Sequence, residues 1–358
     1  MPDQAGPPGR ASWPALIGAL VKGDTLTADE AGWAMNEIME GAATPTQIAG
    51  FGVALRMKGE TVSELGGLAD VMLARATPLS IPGPLVDLVG TGGDGARTVN
   101  ISTMGAIVAA SAGARVAKHG NRAASSACGA ADVLEALGVV INLAPEATER
   151  LVQEVGIAFL FAPLYHPALR HTAVPRRELG VPTVFNFLGP VANPARPGAQ
   201  AVGVSDPRMG AVLAGVLAAR GCSALVFHGD DGLDELTTAD TSTVWVVHDG
   251  TVSQTVLDPA DLGLPRSRRG DLRGGDAATN AAVARAVLAG EPGPVRDTVV
   301  LNAGAALAAA AGVPRAEGLA GVLVGACARA AAALDSGASQ DLLNRWVAAS
   351  QRLAAENS

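Results

Sequence analysis

The chain has 358 residues, 49% hydrophobic and 17% charged, enough to bury a core as one large domain or two modest ones. A formal charge of −8 and a single tyrosine argue against nucleic-acid binding, which calls for a basic face and stacking aromatics. With aromatics at 3%, the core has to be built from alanine, valine and leucine.

Residues 1–11 read as a disordered Pro/Gly tail without the basic and apolar regions of a signal peptide. Three stretches then carry the capping-box pattern, Ser/Thr followed three positions on by Glu or Gln: Thr27–Glu30, Thr44–Gln47 and Thr61–Glu64. With Thr44 as cap, Pro45 takes the first helical position, where proline fits. Trp33, Met35, Ile38 and Met39, then Ile48, Phe51 and Leu55, recur at helical spacing, so residues 12–76 predict a small all-helical unit. The Pro-rich segment 77–84 ends it, giving a helical domain over 12–80 and a second domain over 85–358.

From Leu85 short β-prone runs alternate with helical ones. Strands are predicted at 86–89, 115–117, 157–161, 183–186, 201–204, 224–228 and 299–302, and helices at 103–112, 130–137, 145–155, 207–219 and 277–289. Asp249-Gly250, between 244–248 and 252–256, signals a hairpin, and 339–355 reads as an amphipathic helix. The fold class is therefore α/β: a small all-helical N-terminal domain plus a larger domain with a mainly parallel central sheet flanked by helices. The Ala/Gly-rich run 301–313 is too short to span a bilayer, and a soluble cytoplasmic protein without membrane partners is expected. Cys128, Cys222 and Cys327 are too far apart for a C-x-x-C metal motif or a disulfide framework.

Chemistry concentrates in the run VDLVGTGGDGARTVNISTMGAIVAASAGARVAKHGNR, from Val86 to Arg122. No carboxylate occurs from Gly95 to Ala131, while Arg97, Arg115, Lys118 and Arg122 all do. Bared backbone N–H groups, a helix start and local positive charge make an anion site, above all for phosphate. Gly90, Gly92 and Gly95 also match the dinucleotide fingerprint G-x-G-x-x-G. That reading needs an acidic residue about 20 positions on to hold the ribose. Here the next strand ends in Lys118-His119, which disfavours NAD and leaves a 2′-phosphate cofactor open. Asn100, Ser102 and Thr103 place an amide and two hydroxyls at the next helix start, where capping uses only one. Farther on, Asp230 and Asp231 read as a solvated acidic loop. Asp234 and Glu235 suit Mg²⁺, which takes one or two carboxylates and completes its shell with water and phosphate. A third cluster, from Tyr165 to Arg177, is rich in histidine and arginine.

The strings GTGGDG, NIST, KHGNRA, DVLEALG, RRELGVPT, NFLGPVANP, HGDDGLDELT and GGDAATNA resemble those of the anthranilate phosphoribosyltransferases, as do ATPTQIAGF and ALRMKGET in the helical part. The resemblance runs over residues 13–350 in order and spacing. It implies the class III phosphoribosyltransferase fold, shared with pyrimidine nucleoside phosphorylases, and a homodimer made through the helical domain, itself completed by a segment near 166–180. It implies Mg²⁺-dependent transfer of the phosphoribosyl group of phosphoribosyl pyrophosphate (PRPP) to the amine of anthranilate, a step of tryptophan biosynthesis. PRPP contacts would fall on Gly90, Gly93, Asp94, Thr98, Asn100, Ile101, Ser102 and Thr103. Others would fall on Lys118, His119, Gly120, Asn121, Arg122, Ala123, Ala124, Ser125 and Ser126, and on Ala130 through its backbone. Ser102, Asp234 and Glu235 would hold Mg²⁺, and Gly90, Asn121, Tyr165 and Arg176 would surround anthranilate. Lys118 would stabilise the leaving pyrophosphate, Arg176 would clamp the anthranilate carboxylate, and His119 is the candidate base. The chain departs from the family at Ala127, where lysine is common, at Cys128 and Ala130, which lack hydroxyls, and at the order Val174-Pro175. A nucleoside phosphorylase of the same fold, a non-catalytic PRPP-binding regulator and an NADP-dependent oxidoreductase are the competing readings.

Overall fold

Threonine caps organise the first unit of the structure, a computed structural model that describes residues 12–123, 127–313 and 315–356. The expected tail at 1–11 and the expected contacts at Ala124, Ser125 and Ser126 lie outside the described residues. Helices α1 (Trp13–Val21), α2 (Ala28–Glu40), α3 (Pro45–Lys58) and α4 (Val62–Ala74) follow in turn, and a reciprocal capping box opens each of the last three. Each box satisfies two N–H groups that a helix start leaves unpaired, and a cap of this kind is worth about 1 kcal/mol. Glu64 reaches further: besides capping α4 it accepts from the Leu26 N–H at 2.9 Å and the Lys58 ammonium at 2.7 Å. That fully buried carboxylate is thus paired and hydrogen-bonded, as burial requires.

The second unit is a seven-stranded sheet in the order β3-β2-β1-β4-β5-β6-β7. The strands are β1 (Val86–Gly90), β2 (Val116–Gly120), β3 (Ile157–Phe161), β4 (Ala199–Gly203), β5 (Ser223–Gly229), β6 (Ser242–His248) and β7 (Thr251–Leu257). The first five are mutually parallel, and β6 and β7 add an antiparallel hairpin turned by Asp249-Gly250 with both φ positive. The helices are α5 (Ile101–Ser111), α6 (Ala130–Leu137), α7 (Pro145–Val155), α8 (Ala162–Tyr165), α9 (Ala173–Leu179), α10 (Arg208–Ala219), α11 (Ala277–Leu288), α12 (Pro294–Ala311), α13 (Leu319–Asp335) and α14 (Ala338–Glu356).

Strand alternation sends side chains to two cores. Ala201, Leu225, Phe227, Val244 and Val246 join the core that holds α5 and α12. Val202, Val226, Trp245 and Val247 join the core shared with α10 and the helical bundle. The bundle docks through α4 on α10. Arg56 of α3 strengthens that junction: it stacks 5.0 Å over the Phe187 ring and pairs with Glu60 and with Asp206, just after β4.

Three expected elements differ. Residues 183–186 form a 3₁₀ turn rather than a strand, because Asn186 Oδ1 accepts the Thr183 N–H at 3.1 Å and closes the chain on itself. Residues 299–302 lie inside α12, a helix buried on all sides and therefore without the polar stripe that marks helical period. Strand β2, expected at 115–117 with Lys118-His119 at its end, spans Val116–Gly120 and takes both residues inside it. The segment 316–335 is long and apolar enough to cross a membrane by length and composition, and its Leu319, Leu323, Cys327 and Leu334 pack into the core beside α12.

Candidate active site

Open α/β sheets bind ligands at the carboxyl ends of strands, where successive connections leave in opposite directions. Here that point falls between β1, which leads to α5 and β2 on one side, and β4 on the other. Gly90 and Gly203 face each other across it. Gly203 must be glycine, since a Cβ there would lie 1.7 Å from the Asp234 carbonyl oxygen, and a Cβ on Gly90 would lie 2.3 Å from Asp234 Oδ2 and displace that carboxylate. This close approach brings the acidic pair against the glycine turn, although they are far apart in sequence.

The turn itself is held open by Gly92 and Gly93, at φ 69° and 88°. Ser205, two residues past β4, fixes it: its N–H donates to Thr91 Oγ1 at 3.0 Å and its hydroxyl donates to the Gly92 carbonyl at 2.8 Å. The Gly92 N–H donates to Asp234 Oδ2 at 2.7 Å. Burial first, and then the nearby Asp94 carboxylate, push Asp234 up to about 7. Glu235 is driven well above the ordinary range by burial and by Asp234, against the pull of Lys118 and an N–H from Ser102. Asp94 adds a buried Oδ2 that takes no N–H donor among the described residues. This donor set is short of positive charge and suits a cation. Among the described residues no three His, Cys, Asp or Glu side chains form a complete metal cage, so the shell would be finished by water and ligand oxygens, as Mg²⁺ prefers.

Lys118 is 2% exposed, and its ammonium donates to the Leu88 carbonyl and, at 3.3 Å, to Ser102 Oγ. Burial lowers its pKa, opposed by Asp87, Glu235 and Asp234 in that order. Asp87, on β1, is fully buried and pushed up to about 6 by desolvation. It accepts from Asn193 Nδ2 at 2.8 Å and from the His119 N–H at 3.3 Å. Sequence reasoning gave neither Asp87 nor Asn193 a role; a carboxylate inside the apolar run VDLVG was the available signal.

The other expected site residues separate into groups. Asn100, Ser102 and Thr103 sit at the start of α5 as expected, and Asn100 makes no capping bond while Thr103 Oγ1 is buried without a partner. Ile101 is buried in the core, so its side chain is not available to a ligand. Thr98 bridges to Arg273. Arg122 does not face the glycine turn: it pairs with Asp132 and Glu135 of α6 and lies 5.5 Å over Phe161. The Ala123 N–H is likewise taken, by Asp132 Oδ2 at 3.1 Å. Asn121 is exposed at the end of β2, and Ala130 begins α6. Asp230 and Asp231 are not merely solvated; they brace their loop by accepting from Thr241, Thr243 and Thr237 hydroxyls.

His119 places Nδ1 3.2 Å from the Gly189 carbonyl, so the proton sits there, and Nε2 is buried without a partner. Burial, and then His166 with its ring centroid 5.3 Å away, push this imidazole down to about 3. A group that weakly basic is a poor general base at neutral pH, which replaces the role expected for it. Tyr165 is a second correction: its ring is buried in the core and its hydroxyl faces Thr148 of α7. It lines a recess with Thr77, Asn142, Leu143 and Pro145, none of them part of the site above. Arg176, on α9 against α3, is partly buried, and its pKa is lowered by burial alone. No carboxylate pairs with it among the described residues.

The glycosyl transferase family, helical bundle domain, matches residues 14–76, and the glycosyl transferase family, a/b domain, matches 82–340. The chain is 61% identical over 340 residues to the anthranilate phosphoribosyltransferase of Thermobifida fusca (strain YX), covering 95% of this chain and 97% of the relative. It is 60% identical over 342 residues to that of Nocardioides sp. (strain ATCC BAA-499 / JS614), covering 96% and 100%. The chain belongs to the anthranilate phosphoribosyltransferase family. The crystal structure of the family member from Thermus thermophilus matches with a TM-score of 0.87 at 43% identity, covering 94% of this chain and 99% of that one. The Saccharomyces cerevisiae member, solved in complex with PRPP and Mg, matches with a TM-score of 0.84 at 24% identity, covering 96% and 99%, a likeness of fold. The α/β architecture with its helical N-terminal domain is thus that of the anthranilate phosphoribosyltransferase family.

Proposed function

We propose that the chain transfers the phosphoribosyl group of PRPP to the amine of anthranilate, releasing pyrophosphate, in tryptophan biosynthesis. The observation that carries this reading is the buried acidic pair Asp234-Glu235 set against a glycine turn and Lys118, an arrangement that suits a divalent cation and a polyphosphate together. Gly90, Gly93, Asp94, Thr98, Asn100, Ile101, Thr103 and Asn121 bind PRPP around that turn. Ser102, Asp234 and Glu235 hold Mg²⁺, which when bound neutralises charge on the pyrophosphate. Lys118, fixed by the Leu88 carbonyl, stabilises the charge that develops on the leaving group. Arg176 binds the anthranilate carboxylate and so orients the amine toward the ribose C1. His119, neutral, offers Nε2 as an acceptor for an amine N–H rather than as a base.

With protein, PRPP and Mg²⁺ present, anthranilate fluorescence is expected to disappear with turnover, and omission of PRPP to abolish the loss. Stable fluorescence in the presence of bound PRPP would leave the regulator reading instead.

The protein further works as a cytoplasmic homodimer through α1 and α3, which pack together and carry the exposed apolar side chains Val21, Val53 and Met57. Sedimentation is expected to give twice the 35.7 kDa of the chain, and Met57→Glu to shift it toward monomer. An unchanged dimer in that variant would place the interface elsewhere.

A further inference from the structure

The segment GGDAATNA carries no role in the reading above, yet it reaches the site through one side chain. Asn280, on the first turn of α11, is 2% exposed. Its Oδ1 accepts the Gly275 N–H at 2.8 Å, and its Nδ2 donates to Asn100 Oδ1 at 2.9 Å. Asn100 Nδ2 in turn donates to the Cys128 carbonyl at 3.1 Å. The relay begins at a group that only donates and ends at one that only accepts. Neither amide can flip without setting two donors or two acceptors against each other. Asn100 keeps a further N–H and lone pair beyond these bonds.

Backbone pairing holds the same elements together. The Gly274 N–H donates to the Arg97 carbonyl and the Val99 N–H to the Leu272 carbonyl, both at 2.9 Å. A Cβ on Gly274 would lie 2.8 Å from Asn280 Oδ1 and from the backbone at Thr98 and Val99. On the other side of Cys128, Asp132 Oδ2 accepts the Gly129 N–H at 2.8 Å. Asn280 also contacts the Cys128 thiol, partly offsetting the burial that pushes it up to about 11.

We infer that Asn280 is a positioning residue for the phosphoribosyl site: it sets the amide orientation of Asn100 and thereby ties the chain at Cys128 to the start of α5. The inference rests on the PRPP reading for Asn100, while the tie itself does not. Asn280→Asp is close to isosteric and still accepts from Gly275, but it cannot donate to Asn100.

The test is iodoacetamide labelling of the native protein resolved by mass spectrometry, together with steady-state kinetics. All three thiols are buried, so Cys222 and Cys327 serve as internal controls. In the variant Cys128 is expected to label roughly tenfold faster while Cys222 and Cys327 keep their rates, the mark of local rather than global opening. KM for PRPP is expected to rise about tenfold with KM for anthranilate within about twofold. Equal acceleration at all three thiols, no acceleration at Cys128, or an unchanged KM for PRPP would each overturn the proposal. Asn280→Ser, too short to bridge, takes the same measurements if the aspartate variant does not fold. Labelling needs no substrate, so a failure of the tie is distinguishable from a failure of the phosphoribosyl reading.

Discussion

Replacing Asp234 with Asn and Glu235 with Gln together is expected to lower turnover roughly 10²–10³-fold, the loss that follows when a metal's charge stabilisation is removed. The same double variant, free of metal and substrate, is expected to melt a few degrees higher than the parent. Both carboxylates are buried, and they repel each other and Asp94. Their amide counterparts need no counter-charge, so the folded state gains where the site loses. The sign with pH follows from Asp234, raised from 3.8 to about 7. A carboxylate whose folded pKa is raised contributes stability that is full below the unfolded value and lost as pH climbs through the folded one. The metal-free parent should therefore lose melting temperature between about pH 4 and pH 8, and the variant should lose less. Thermal unfolding across that range, paired with turnover against Mg²⁺ concentration, reads both effects. A variant that melts lower and keeps the parent's metal dependence would contradict the assignment.

Local signals proved the most legible part of the sequence. A capping box is written in four consecutive residues, so Thr27, Thr44 and Thr61 announced α2, α3 and α4 without tertiary context. The glycine turn was legible for the same reason, and the acidic pair through its placement just after a strand. Features decided by packing were not. Four apolar and polar residues at 299–302 fit a strand or a helix equally well, and only the length of α12 and its burial between sheet and α13 decide. Tyr165 is sequence neighbour to His166, whose ring packs against His119, yet the tyrosine ring itself turns into the core toward α7. Arg122 is the last cation in the carboxylate-free strip and reads as a phosphate ligand, but the first acids beyond that strip, Asp132 and Glu135, claim it. Asp87 and Asn193 escaped because they are 106 residues apart, with β2, β3 and the helices α5 to α9 between them, and nothing in either motif shows that the chain before β4 returns to β1.

Arg176 gives the second large effect, and it follows from what the residue lacks. Even a partly buried arginine costs desolvation, which lowers its pKa, and native proteins offset that cost with a carboxylate or a ligand anion. No described carboxylate does so, although α9 itself offers Glu178 two residues away. If the anthranilate carboxylate completes the pair, Arg176→Ala should raise KM for anthranilate roughly 10–100-fold, the worth of a bidentate charge-assisted contact. KM for PRPP should stay within about twofold, because the phosphoribosyl contacts lie on β1, α5 and β2. Melting temperature should hold or rise, since the substitution removes a partly buried charge that no described carboxylate pairs. Arg176→Lys is the sharper control: it keeps the charge but not the planar fork, so it should recover only part of the lost affinity. Initial rates with each substrate varied in turn separate these outcomes. Equal rises in both KM values would mark Arg176 as a general support of the site rather than the acceptor clamp.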